Sequence, residues 1–373
     1  MLQLRRITSS GRFVPEIDGL RFAAIAAVVL THFHGFTVRI GAVPDGRDFF
    51  RPFVEHGYRG VNLFYVVSGF ILGLPFAARY LKNAPSVNLK SYFLRRLTRL
   101  EPPYILNLFI CFAFLLTVEG SNGFALAPHL AASLGYVHNL WFGEQSTINP
   151  VAWSLEIEVQ FYCLVPLLAL IFSIRRTKAR RLILLGFILL AGIAQMFYWD
   201  GSQRLKLTIL YAIQFFLTGF LLADIYVLDW NERPATHWRW DLLSLVCWPL
   251  IVLPGDREVW IALPLLMLGA YIAAFKGVLF RGFFRHVWIT TVGGMCYTIY
   301  LFHYLLIPPV LRLFRGVCSG SGFDAYFLVQ MLLYTPILML VSGCYYVLVE
   351  RPCMAKDWPR RTLKHAVALL RRS

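Results

Sequence analysis

The stretch "DGLRFAAIAAVVLTHFHGF", residues 18–36, decides the fold class and raises the functional question together. It is apolar enough to lie in lipid, yet it carries Arg21 near one end and His32 and His34 near the other. At about 100° per residue, the eleven residues from Arg21 to His32 make three turns plus about 20°. The two side chains therefore share one helix face, roughly 16 Å apart along the axis. His34 lies about 200° round from His32 and reads as a structural or interfacial residue. An ionisable group in mid-membrane costs roughly 2.5–3.5 kcal/mol on insertion scales, so such a face normally borders a cavity or a partner.

The rest of the chain repeats the apolar signal. Of 373 residues, 58% are hydrophobic and 15% charged, with a mean hydropathy of +0.60. Soluble domains carry about 25% charged residues. Long apolar runs, without the short alternating segments of a membrane barrel, give an all-α polytopic membrane protein. Trp and Tyr gather at run ends, as in "QMFYWD" (195–200) and "DREVW" (256–260), where interfacial belts form. The net charge of +16 is read as basic loops facing the cytoplasm, not as a nucleic-acid surface. The seven cysteines are scattered without paired or metal-ligand spacing, so neither a disulfide framework nor a metal site is expected. No cleavage site follows the first run, which is taken as a retained helix.

Eleven apolar runs are present, of which 125–142 is broken by Pro128, His129 and His138, and 241–254 is short. If 125–142 does not cross, 26 of the 36 Lys and Arg residues fall in predicted cytoplasmic segments, 9 fall outside, and Arg21 lies in the first helix. Crossing would push "IRRTKARR" (174–181) to the outer side, against the positive-inside rule. The expectation is ten transmembrane helices, both termini cytoplasmic, with a re-entrant or surface-lying segment near 125–142 and a basic tail at 351–373. Residues 1–373 are expected to form a single multi-pass membrane domain. No internal repeat is seen, which disfavours a transporter built from duplicated halves.

Four further constellations place polar chemistry at membrane depth. In "NPVAWSLEIEVQFYCLVP" (149–166), Glu156 and Glu158 point about 200° apart, so only one can face His32. Both are placed level with that ring, where a carboxylate would fix its tautomer. In "SYFLRRLTRLEPPY" (91–104), Arg95, Arg96 and Arg99 stand just before a Pro-initiated helix on the cytoplasmic side. Their guanidinium forks suit a phosphate-bearing donor. In "GYRGVNLFYVVSGFILG" (57–73), Gly69 and Gly73 permit close packing, while Asn62, Tyr65 and Ser68 are polar. In "CYTIYLFHYLL" (296–306), Tyr300 and His303 share a face.

In order, "EIDGLRFAAIAAVVLTH", "GVNLFYVVSGF", "RRLTRLEPPY", "WSLEIEVQFY", "CYTIYLFH" and "YYVLVERP" make the chain resemble the integral-membrane acyltransferase 3 family from about residue 14 to 353. That family O-acylates sugars and other hydroxyl acceptors in many bacteria. The resemblance implies ten helices, a cytoplasmic acyl-CoA donor and His32 as a catalytic residue, and it aligns Glu158 rather than Glu156 with the family's glutamate. Two departures stand out: Asn62 occupies a position often held by Asp, and Cys296 precedes Tyr297 where Ser is usual.

The expected function is therefore transfer of an acyl group, acetyl first and succinyl second, from acyl-CoA to a hydroxyl of an envelope or exported carbohydrate. His32, Glu158 and Arg21 form the catalytic set. Arg95, Arg96, Arg99 and Tyr104 bind the donor, with Asn62, Tyr65, Ser68, Trp153, Tyr300 and His303 in support. Either Tyr300 or His303 would stabilise the oxyanion. An acyl-histidine intermediate is the alternative chemistry. Acyl-CoA is a co-substrate; no permanently bound cofactor or metal is expected. Many family members carry an extracytoplasmic esterase-like domain; here direct transfer, or a separate polysaccharide-assembly protein, is expected instead. The competing functions are a flippase or transporter for a lipid-linked saccharide, and a structural subunit of an envelope complex.

Overall fold

The computed structural model describes residue 4, residues 13–40, 48–199, 202–252 and 257–355, and residue 358. The regular structure of the described residues is helical, with a lone bridge between Ser319 and Ser321 as the one β-like contact among them. Fourteen helices carry the argument. They are α1 (Pro15–Arg39), α2 (Arg59–Lys82), α3 (Leu89–Thr117), α4 (Gly123–Leu134), α5 (His138–Phe142), α6 (Trp153–Leu168) and α7 (Thr177–Ala194). The second half adds α8 (Ile209–Leu228), α9 (Arg239–Val252), α10 (Arg257–Lys276), α11 (Leu279–Arg285), α12 (Val287–Gly294), α13 (Cys296–Leu313) and α14 (Phe323–Tyr345).

Nine helical segments among the described residues are long and apolar enough to cross a membrane. The run expected at 241–254 appears as α9, fourteen residues to the point where the description stops. At 1.5 Å per residue that is about 21 Å, short of the roughly 30 Å of hydrocarbon. The segment at 125–142 folds as the short pair α4 and α5, too short to cross, as the charge pattern required. Most of the basic tail and of the N-terminal arginine segment lies outside the described residues.

Local chemistry sets the ends that matter. Pro15 opens α1, and Glu16 and Asp18 lie in its first turn, where fixed φ and negative charge both favour a helix start. Asn88 caps α3 by accepting from the Ser91 N–H at 2.8 Å, and Asn122 caps α4 by accepting from that of Phe124 at 2.9 Å. The arginine cluster is not a loop before a Pro-initiated helix, as the sequence suggested. It is built into the first half of α3, which runs on through Pro102 and Pro103.

Helix α2 is the structural centre, packed closely along α8. Gly69 lies against the backbone of Phe216, and Gly219 against Val66 and Phe70; a Cβ at either would overlap main-chain atoms. The packing expected of Gly69 and Gly73 is thus seen, with Gly73 meeting the Phe220 ring. A buried ion-pair network ties α7 to α8. Arg180 and Asp224, both fully buried, are hydrogen-bonded, and Arg181 bridges Asp224 at 2.7 Å and Asp229 at 2.8 Å.

Candidate active site

A cavity of about 150 Å³ opens between α1, α2, α3, α6 and α13. Its polar groups come from helix stripes. On α6, Ser154, Glu158 and Tyr162 recur every four residues and all line the cavity. On α2, Tyr65 and Ser68 face them, and on α13 Tyr297 and Tyr300 do so. Helix α1 contributes Arg21 and Val28, and α3 contributes Arg96 and Arg99.

These side chains form rungs about 6 Å apart along α6. At the first rung the Arg96 guanidinium lies over the rings of Tyr92 (5.4 Å) and Tyr162 (5.9 Å), and the Tyr92 hydroxyl donates to the Tyr162 carbonyl. At the second, the Ser68 hydroxyl donates to Glu158 Oε1 at 2.5 Å. At the third, Tyr300 donates its hydroxyl hydrogen to the Val151 carbonyl, so the 3.0 Å contact between Ser154 Oγ and Tyr300 Oη has Ser154 as donor. Tyr65 makes a long bond, 3.4 Å, to the Ser154 carbonyl.

One turn beyond Val28 on α1 lies His32, which pairs with His303 of α13. Its Nδ1 is 2.9 Å from His303 Nε2, with the rings stacked at 5.1 Å between centroids. His303 is fully buried, and its Nδ1 faces the carbonyl oxygens of Tyr300 (2.8 Å) and Ile299 (3.2 Å). Carbonyls only accept, so His303 Nδ1 carries the hydrogen and, in the neutral ring, its Nε2 is an acceptor. His32 Nδ1 must then be the donor. His32 Nε2 is left with its lone pair and no hydrogen-bond partner among the described residues. The arrangement fixes a tautomer and supplies an acceptor for an imidazolium, the two services that a catalytic histidine needs.

The partner of His32 is thus a histidine 271 positions away, not Glu158. Glu158 was expected level with His32, but it is tied to Ser68. Helix α2 runs antiparallel to α1 and meets Ala24 and Val28 at Gly60, so Ser68 lies about 12 Å from that crossing toward the start of α1. Glu156 points the other way, as the two-residue spacing required. It is fully buried and accepts from the Asn139 N–H at 2.8 Å, fastening α5. Arg21 is held by Asp18 at 2.6 Å. His34 has a separate partner, Asp48 at 2.7 Å.

The donor set also divides. Arg96 and Arg99 line the cavity, whereas Arg95 is exposed and does not. Tyr104 is buried against α4, stacked on Tyr136 at 4.7 Å and donating to the Ser133 carbonyl at 3.0 Å. Asn62 and Trp153 do not line the cavity; the Trp153 carbonyl accepts from Asn139 Nδ2 at 2.8 Å. Sequence reasoning missed Ser154 and Tyr162, which the four-residue repeat with Glu158 marks, and Glu350. Glu350 reaches the cavity from a π-helical turn, Tyr346–Glu350, and accepts the Thr298 hydroxyl. No cluster of three or more His, Cys, Asp or Glu suited to a metal occurs among the described residues.

Residues 14–348, nearly the whole chain, match the acyltransferase domain model of the acyltransferase 3 family. The chain belongs to that family. It is a multi-pass membrane protein of the acyltransferase 3 type. It is similar to the O-acetyltransferase OatA of Staphylococcus aureus strain NCTC 8325 / PS 47, at 24% identity over 94% of this chain and 58% of the relative. It also resembles the putative O-acetyltransferase SACOL0978 of S. aureus strain COL, at 26% identity over 58% of this chain and 35% of the relative. The chain therefore spans little more than half the length of the OatA relatives. No solved structure shows a significant match.

Proposed function

We propose that this acyltransferase 3 protein is a membrane O-acyltransferase. It takes an acyl group, acetyl first, from cytoplasmic acyl-CoA and places it on a hydroxyl of an envelope or exported carbohydrate. The bacterial inner membrane is the proposed location, with no permanently bound cofactor. The names of the O-acetyltransferase relatives support the acetyl group and an oxygen acceptor.

The observation that carries the reading is the polar ladder. From Tyr162 to Ser154 along α6 is about 12 Å, and His303, with His32 against it, stands one turn past Tyr300, just outside the cavity lining. The pantetheine arm of coenzyme A has the backbone length of about four extended peptide residues, ~14 Å. Donor phosphates held by Arg96 and Arg99 would bring the thioester to the Tyr300–His303 end, where the acceptor arrives from the opposite side. His32 Nε2 removes the hydroxyl proton as the oxygen attacks the thioester carbonyl. The tetrahedral intermediate collapses with loss of the C–S bond, and the imidazolium returns the proton to the departing thiolate. Meanwhile His303 Nε2 accepts from the charged ring's Nδ1–H. Tyr300, latched to Val151 and Ser154, closes the last turn and must yield for the thioester to pass.

Radiolabelled acetyl-CoA, purified protein and crude envelope acceptor form the test. Label should move to acid-stable, base-labile ester in the carbohydrate fraction. If no label moves with any envelope fraction, the enzyme reading fails.

A further inference from the structure

We propose that the second and third rungs of the cavity recognise the two amide groups of the donor's pantetheine arm. Glu158 with Ser68 takes the amide nearer the phosphates, and Ser154 with Tyr300 and Tyr65 takes the amide nearer the thioester. The proposal rests on the acyl-CoA reading above and gives Glu158 a role other than partner of His32.

The first support is spacing. Glu158 lies about 6 Å and Ser154 about 12 Å beyond the Tyr162–Arg96 rung. In the arm the two amide nitrogens are four bonds apart, about 5 Å when extended, and the nearer one follows about 6 Å after the phosphate oxygen. One helical turn of α6 therefore keeps step with one amide repeat of the ligand.

The second support is hydrogen-bond capacity. An amide leaving water for an apolar cavity needs a partner for its N–H. A carboxylate offers about four acceptor sites; the Ser68 hydroxyl occupies one and that of Tyr162 another, which leaves room for an amide N–H. Ser154 Oγ donates to Tyr300 and keeps its lone pairs for an incoming N–H. Tyr65, whose hydroxyl lies at Ser154 with a long 3.4 Å bond to its carbonyl, is placed to turn to an amide carbonyl. Apolar side chains, among them Val28, Val61, Val67, Ile71 and Leu155, separate these rungs from the other polar groups of the lining, Arg21, Tyr297 and Glu350.

A series of acetyl thioesters tests this: S-acetylpantetheine with both amides, S-acetyl-N-acetylcysteamine with the amide nearer sulfur, and S-acetyl-2-mercaptoethanol with none. In the wild type, kcat/KM should fall about tenfold at each lost amide. Glu158→Ala should lower kcat/KM about tenfold for S-acetylpantetheine and leave the two shorter donors unchanged. Ser154→Ala should affect the first two donors and spare the third. Glu158→Gln, which keeps an acceptor oxygen, should recover most of the loss and serves if the alanine variant fails to fold. Equal losses on all three donors in either variant, or no donor dependence in the wild type, would overturn the proposal. Absence of transfer from every thioester in the wild type would instead overturn the acyltransferase reading itself.

Discussion

His32 Nδ1 stands 2.9 Å from His303 Nε2, and the far nitrogen of His303 is anchored on the Tyr300 carbonyl. The relay runs in one direction because the carbonyl can only accept. His303→Ala should therefore lower kcat by about 10²-fold, the lower end of what a positioned base contributes. The KM for the acyl donor should stay near its wild-type value. His303→Gln, whose side-chain oxygen can accept from His32 Nδ1, should restore part of kcat. A purely structural His303 would show no such ranking between the two variants.

Arg96 and Arg99 face the cavity while Arg95 faces away. Replacing Arg96 or Arg99 with Ala should raise the KM for acetyl-CoA by about tenfold or more, since each charge-assisted hydrogen bond contributes about 1.5–3 kcal/mol. Arg95→Ala should leave it within about twofold. S-acetylpantetheine, which lacks the nucleotide phosphates, should be insensitive to all three changes. Steady-state kinetics on the purified variants reads all of these.

Asp224 is fully buried between Arg180 and Arg181. Asp224→Ala leaves Arg180 as an uncompensated buried cation and should cost about 3–5 kcal/mol. Arg181 is one-quarter exposed, and Arg181→Ala should cost about 1 kcal/mol or less. Thermal unfolding in detergent should show a clearly larger drop for Asp224→Ala.

The α4–α5 segment holds a second histidine pair, His129 Nδ1 to His138 Nε2 at 2.8 Å, with His138 Nδ1 on the Glu144 carbonyl at 3.2 Å. Burial lowers the affinity of His138 for a proton, partly offset by the Glu144 carbonyl, so its folded pKa lies below 6.5. Between that value and 6.5 the unfolded segment binds more protons than the folded one. The stabilisation is therefore present above pH 6.5 and fades as pH falls below it. Amide hydrogen exchange across 129–144, corrected for intrinsic rate, should accelerate between pH 7 and pH 5, and His138→Asn should flatten that dependence.

Much of this architecture is legible in the residues because membrane helices follow local rules. The shared face of Arg21 and His32 and the opposed faces of Glu156 and Glu158 come from the helical repeat alone, and both appear in the structure. The non-crossing segment follows from charge. What local rules cannot give is rotation and level. The sequence groups Arg95, Arg96 and Arg99 together, but with α3 set against α6 through contacts such as Tyr92 on Tyr162, Arg96 and Arg99 line the cavity and Arg95 is exposed. The level of Glu158 depends on where α6 begins after the turn Pro150–Ala152, and on the crossing of α1 and α2 at Gly60. His303 and His32 are joined by packing across 271 positions, which no spacing rule reaches.

The central claim is that His32 Nε2 is the base that activates the acceptor hydroxyl. Its most direct test is acetyl transfer by His32→Ala in purified form, with binding of acetyl-CoA measured on the same sample. Transfer should fall by 10²-fold or more, as expected when a general base is lost, while acetyl-CoA binding stays within about twofold of wild type. Full transfer by His32→Ala would contradict the account.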